Sequence, residues 1–222
     1  MGEVTIVSTE SRAFADRMEA GKALARQLSD LRGENPVILG IPRGAVPMAA
    51  VVADELGGEL DVVIVRKLGA PGNPELAIGS VTEEGDAIVN MQFARRTGAS
   101  DEYIKQEARR QLERIEERKR VYRDVRPKVA LEDRVVVIVD DGFATGATMK
   151  AALESARSEN PRRLIAAAPV GAQDTVRQMA EYADEVVCLR APEFFGAVGA
   201  FYEDFGQVSD EEVLAVLRER MR

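Results

Sequence analysis

The 222-residue chain has no histidine and no tryptophan, and its one cysteine is Cys188. Without histidine there can be no Ser-His-Asp or Cys-His constellation and no imidazole-ligated metal, which excludes most hydrolase and zinc-enzyme chemistries. A lone cysteine excludes an intramolecular disulfide, so nothing here calls for an oxidising compartment. Cys188 lies inside the apolar run VVCL and is read as a small buried hydrophobe. Nowhere do 18 apolar residues run together, and the opening MGEVTIVSTESRAF lacks the basic and apolar stretches of a secretion signal. A soluble cytoplasmic protein is expected.

The net charge of -8 argues against a generally basic nucleic-acid binder. Its distribution is uneven, because residues 95–126 hold eleven Lys/Arg against seven Asp/Glu and are net +4, leaving -12 elsewhere. The length suits a single domain spanning 1–222. Within it, 68–126 is expected to carry a loop, a hairpin and a basic helix, and 191–222 an aromatic hood and a last helix.

Along the chain, residues 12–31 have helical spacing and are expected to end near Gly33. Asp16 and Glu19 on that helix are read as surface charge. The run VILGI (37–41), the helical stretch AVPMAAVVADELG and the run DVVIV (61–65) form a strand-helix-strand unit, hence parallel strands. Glycines and prolines over 68–90 predict an exposed loop followed by a hairpin. Ser100 is a candidate cap for a long helix with Ile104, Ala108, Leu112, Ile115 and Tyr122 on one stripe, ended by Pro127. Strands at 134–140, 163–170 and 185–190 alternate with helices at 147–157 and 174–183. A final helix starts near Ser209. Five parallel strands predict an α/β fold, an open and mostly parallel sheet with helices on both faces.

In such sheets ligands sit beyond the carboxyl ends of the strands. After VVVIV comes Asp140-Asp141-Gly142-Phe143-Ala144-Thr145-Gly146-Ala147-Thr148. A small-residue loop entering a helix offers unpaired amides and the positive end of the helix dipole to a phosphate. The Walker and dinucleotide glycine spacings are both missing, which weakens an ATP or dinucleotide reading. Two carboxylates beside a phosphate cradle are suited to sugar hydroxyls or a hydrated Mg²⁺.

The segment VVVIVDDGFATGAT resembles the signature of the type I phosphoribosyltransferases, which use 5-phosphoribosyl 1-pyrophosphate (PRPP). The resemblance implies ribose hydroxyls on Asp140 and Asp141, and the 5′-phosphate on the loop Ala144, Thr145, Gly146, Ala147 and Thr148. It extends to Gly40-Ile41-Pro42-Arg43-Gly44-Ala45, which is similar to the family's pyrophosphate loop. There Gly44 would allow close backbone approach and Arg43 a fork of donors. Arg66 and Lys67, after the second strand, would also meet pyrophosphate, and 68–80 resembles the lid that excludes water from the reacting sugar. The stretch Phe194, Phe195 and Val198 to Glu203 loosely resembles the base-binding part of hypoxanthine-guanine enzymes, with the aromatics on the base and Glu203 joining Asp140 and Asp141 on Mg²⁺. The same aromatics could equally close the core or form a contact between subunits.

The resemblance thus implies a Mg²⁺-dependent transferase. It would move the phosphoribosyl group of PRPP to a nitrogen nucleophile, a nucleobase in the first instance, and release pyrophosphate. Asp140, Asp141, Arg43 and Lys67 would form its catalytic set. A homodimer is expected, with no membrane or nucleic-acid partner. The competing expectation is a non-catalytic PRPP sensor whose basic helix, with Arg109, Arg110, Arg114 and Arg118, meets nucleic acid or a protein.

Overall fold

The computed structural model describes residues 1–220, so the last two residues of the expected C-terminal segment 191–222 lie outside the described residues. Six strands form one sheet, in the spatial order β1 (Glu3–Ser8), β9 (Glu185–Arg190), β8 (Arg163–Val170), β7 (Val135–Val139), β2 (Val37–Gly40) and β3 (Glu59–Val62). Every neighbouring pair is parallel, so all carboxyl ends reach one edge. The strand period of two is visible in β7, where Val135, Val137 and Val139 enter one core while Val136 and Ile138 enter the other. Helices α1 (Arg17–Gln27), α2 (Ala45–Leu56) and α7 (Asp210–Glu219) cover the first face, and α5 (Ala147–Arg157) and α6 (Gln173–Met179) the second. This is the expected open, mostly parallel α/β sheet with helices on both faces.

Three local expectations are corrected. The sheet has a sixth parallel strand, β1, which pairs only with β9 and leaves Val7 half exposed. The expected loop 68–80 is ordered as strand. Residues Arg66–Ala70 (β4), Asn73–Val81 (β5) and Ala87–Val89 (β6) form a second, antiparallel sheet. Leu68, Ile78 and Val81 bury its apolar side, and Gly69 passes so close to Pro74 that an added Cβ would lie 2.7 Å from its Cα. The first helix begins only at Arg17, and Asp16 and Glu19 are caps: Asp16 accepts from the Glu19 amide at 2.8 Å and Glu19 from the Ala15 amide at 2.6 Å.

Beyond the second sheet lie the short α3 (Met91–Arg96) and the long α4 (Asp101–Arg123), the latter capped by Ser100 at 3.1 Å from the Tyr103 amide. Ile104, Ile115 and Tyr122 join the core as the stripe predicted, while Glu107 and Gln111 are buried as a hydrogen-bonded pair at 2.8 Å. At its end, Arg123 donates to Glu83 at 2.5 and 2.7 Å, to Asp61 at 2.7 Å and to the Val62 carbonyl at 3.1 Å. This buried charge network fastens α4 and the second sheet to β3. Cys188 is buried and unbonded to another sulfur, and burial pushes its thiol up to about 12, consistent with a packing role. No helix among the described residues is long and apolar enough to cross a membrane.

Candidate active site

The carboxyl ends of β7, β2 and β3 are adjacent, because β2 lies between the other two. Three chemically distinct segments therefore share one stretch of sheet edge. After β7, Phe143 is pinned by its amide to the Val170 carbonyl and by its carbonyl to the Ala172 amide, both at 2.9 Å. Thr175 adds a bond to the Ala144 carbonyl at 2.7 Å. These anchors bury Phe143 while leaving Ala144, Thr145 and Thr148 exposed.

Gly146 turns the chain into α5 with φ 71°, a left-handed conformation in which an added Cβ would also lie 2.7 Å from Thr175 Cγ2. It has no side-chain cap among the described residues. The amides of the first α5 turn thus point outward with the helix dipole behind them, which is the electrostatic requirement of a phosphate cradle.

Asp140 and Asp141 stand just before that loop. Burial, and then the neighbouring Asp141 charge, push the Asp140 carboxyl up to about 7, although the Asp141 amide donates to it at 2.8 Å. Burial also raises Asp141, with Arg17 opposing that rise. Arg17 grips Asp141 through Nε–Oδ1 at 3.0 Å and Nη2–Oδ2 at 3.3 Å. Its third donor, Nη1, reaches the Gly206 carbonyl at 2.8 Å, and its guanidinium carbon lies 4.1 Å from the centre of the Phe205 ring.

The signs for Asp140 fix a pH dependence. Its folded pKa lies above the unfolded value of 3.8, so the native state favours the proton and stability falls as pH rises from about 4 to about 7. Asp140→Asn removes that loss. Thermal unfolding should show the variant gaining on wild type as pH increases, by roughly 2 kcal/mol at pH 8, less than the whole shift would give because the carboxylate keeps partial solvent access. A pH-independent difference between the two proteins would contradict a strained acid at this position.

The second segment, after β2, brings Arg43 and Gly44 to the start of α2, and the Pro42–Arg43 peptide is cis. Gly44 is tightly placed, since an added Cβ would fall 2.1 Å from Asp141 Oδ2. The third segment follows β3, where Arg66 and Lys67 begin β4. They line a cavity of about 250 Å³ with Ile41, Pro42, Val63, Ile64, Val65 and Thr148. Arg118 and Tyr122 of α4 line the same cavity. A larger depression of about 720 Å³ lies at the opposite, amino-terminal edge of the sheet, among Met1, Gly2, Arg157 and 180–184. It contains none of these segments.

The C-terminal residues are placed differently from one another. Phe194 is 86% exposed, Phe195 stacks on Phe201 at 5.2 Å, and Val198 lies against Gly142 at the site loop. Glu203 is exposed, and among the described residues no three Asp, Glu, Cys or His side chains are grouped so as to hold a metal ion. The Glu203 backbone takes part in a strand-like bridge: the Phe14 amide donates to the Phe201 carbonyl and the Phe14 carbonyl accepts from the Glu203 amide, both at 2.8 Å. That bridge delivers Tyr202, whose hydroxyl donates to the Asp141 carbonyl at 2.8 Å.

Arg17, Arg118 and Asp210 are site-edge residues that the sequence pattern did not single out at this edge. Arg17 meets Asp141 across 124 positions, and no local spacing announces such a pair.

The chain matches the family model of the phosphoribosyl transferase domain over residues 12–205. It is 45% identical over 206 residues to proteins of two Mycobacterium tuberculosis strains, CDC 1551 and H37Rv, both provisionally named phosphoribosyl transferases. The match covers 93% of this chain and 46% of theirs, so the chain spans about half the length of these relatives. The crystal structure of TT1426 from Thermus thermophilus is 51% identical and superposes with a TM-score of 0.87, covering 94% of this chain and 99% of that one. The sheet-edge loops, the nearly complete family match and these relatives together establish that the chain belongs to the phosphoribosyl transferase domain family.

Proposed function

We propose that the chain transfers the 5-phosphoribosyl group of PRPP to a nitrogen nucleophile, with a nucleobase as the acceptor class. The observation that carries this reading is the meeting, at one sheet edge, of an uncapped helix start, a half-buried acid pair and a cationic cavity. Their order matches the order of groups in PRPP: 5′-phosphate, ribose and pyrophosphate.

In this arrangement the α5 amides with Thr145 and Thr148 hold the 5′-phosphate. Asp140 and Asp141 accept from the ribose hydroxyls, for which a carboxylate has lone pairs to spare even when Arg17 occupies part of it. Arg43, Arg66, Lys67 and the Gly44 backbone hold the diphosphate. The bond from C1 to the diphosphate oxygen breaks, the C1–N bond forms, and the nucleophile's proton leaves to water or to the departing pyrophosphate. With no imidazole in the chain, the main stabilisation is electrostatic and falls on the leaving group.

Magnesium fits this donor set as an ion arriving with the substrate. The two adjacent acids provide too few ligands for a protein-built cage, and Mg²⁺ commonly takes one or two carboxylates together with substrate oxygens. When bound, it would neutralise charge developing on the diphosphate. The side chains that would face it are Asp140 and Asp141.

The regulatory alternative gains no support from α4, whose Arg110 pairs with Glu107 and Arg118 with Asp210. A pyrophosphate-release screen with PRPP, magnesium and a panel of purines, pyrimidines and nicotinate-like bases should give release with at least one base. A protein that binds PRPP yet releases pyrophosphate with none of them would overturn the transferase reading.

A further inference from the structure

Helix α4 packs as scaffold along most of its length, yet its Arg118 lines the same 250 Å³ cavity as Arg66 and Lys67. Nothing in the family resemblance assigns it a role. Its guanidinium donates at 2.8 Å to Asp210 Oδ1, at the start of α7, and at 2.7 Å to the Tyr122 hydroxyl. Tyr122 also donates to that Asp210 oxygen at 2.7 Å. The other oxygen of the same carboxylate lies 3.9 Å from Arg43 Nη1. One carboxylate therefore touches two guanidiniums from different elements, one on the loop after β2 and the other on α4. A position that a single small anion can share between both cations exists in the fold.

Cations outnumber the acids named here, with Arg66, Arg114 and Arg118 set against Glu117 and Asp210. Burial, and then the nearby charges of Arg118 and Arg114, depress the Arg66 guanidinium, with only Glu117 opposing. Arg66 and Arg118 converge on one cavity, and the carboxylate that pairs with Arg118 is Asp210; an anion of higher charge in that cavity would offset the repulsion between the guanidiniums more fully.

We propose that Arg118 is a ligand of the substrate's diphosphate, supplied by α4 and held on Asp210 until that anion arrives. The proposal rests on the phosphoribosyl transfer reading. Asp210 then acts as a resident counterion: it keeps Arg118 and Arg43 oriented in the free protein and yields them to a group carrying more charge. Arg118 is a binding residue, Asp210 a positioning one, and Tyr122 holds the pair in register.

Calorimetric titration of the full chain, with magnesium, separates the possibilities through three probes: inorganic pyrophosphate, ribose 5-phosphate and PRPP. Arg118→Gln should weaken pyrophosphate about 10- to 100-fold, the worth of one charge-assisted hydrogen bond, and leave ribose 5-phosphate within about twofold. Arg118→Lys should recover part of the loss. Asp210→Asn, which removes the competing carboxylate, should bind pyrophosphate several-fold more tightly. Arg109→Gln, on the same helix, should match wild type.

Unchanged pyrophosphate binding in Arg118→Gln overturns the proposal. So does a parallel weakening of all three probes with a lowered melting temperature, because that is the mark of a merely structural tie between α4 and α7. If Asp210→Asn weakens pyrophosphate, the counterion role falls. If wild type binds ribose 5-phosphate and PRPP but Arg118→Gln is silent, this inference fails alone. If wild type binds none of the three probes, the transfer reading fails and takes this inference with it.

Discussion

Gly44→Ala is expected to weaken PRPP binding by at least two orders of magnitude while leaving the protein folded. The added Cβ would lie 2.1 Å from Asp141 Oδ2 and 3.1 Å from its Cγ. Backbone conformation is not the obstacle, since Gly44 has φ -56° and ψ -42°, which alanine adopts freely. The obstacle is that Asp141 cannot step aside cheaply. Arg17 holds both of its oxygens, and Arg17 is itself fixed by the Gly206 carbonyl and the Phe205 ring. Either the Asp141–Arg17 pair breaks or the start of α2 shifts with Arg43 on it. Each result removes at least two charge-assisted contacts to substrate, at about 1.5–3 kcal/mol apiece. A Cβ on Gly196, by contrast, meets nothing within 4 Å, so Gly196→Ala should be silent. Titrating PRPP into both variants decides the matter, and equal affinity in the two would remove the steric argument.

Arg123→Met should lower unfolding free energy by about 3–5 kcal/mol, the usual cost of removing one partner from a buried charge network. Asp61 is 1% exposed, and burial already raises its carboxyl despite Arg123 at 2.7 Å. Without the guanidinium, Asp61 and Glu83 are left as buried acids without that cation. Asp61, already raised by burial, then loses the cation that opposes the rise and favours protonation in the native state, so the deficit should shrink as pH falls from 7 toward 4. Asp61→Asn with Glu83→Gln in the Arg123→Met background should recover part of the loss, because no uncompensated charge remains. Urea denaturation at both pH values tests this. A deficit that is constant with pH would show that packing, and not charge, dominates at this junction. The same network fixes the end of α4, so its loss should also disturb Arg118, about one and a half turns away.

Much of the candidate site was legible because its segments are local in sequence. The carboxyl end of β7 and the end of β2 are each a short apolar strand followed at once by its loop, so both strand and chemistry fall within about a dozen residues. The parallel sheet then brings those ends to one edge without further information. What escaped was long-range or half-exposed. Strand β1 has little apolar surface to bury at the sheet's rim, so its pattern is weak. The glycines and prolines of 68–80 read as punctuation, whereas Gly69 is small to let Pro74 pass and the segment pairs as a hairpin. Phe194, Phe195 and Val198 share one aromatic segment, yet the fold turns them to solvent, to Phe201 and to Gly142 in turn. No spacing rule anticipates that a strand-like bridge from Phe14 to Tyr202 sets the end of the chain over Asp141.

The most direct measurement is a calorimetric titration of magnesium-PRPP into wild type and into Asp141→Asn combined with Thr145→Ala. These residues sit on either side of the loop turn, one on the sugar and one on the 5′-phosphate in the proposed arrangement. Saturable binding is expected for wild type, and its loss, by two orders of magnitude or more, for the double variant. Absence of binding to wild type, or unchanged binding by a double variant that melts normally, would contradict phosphoribosyl transfer at this sheet edge.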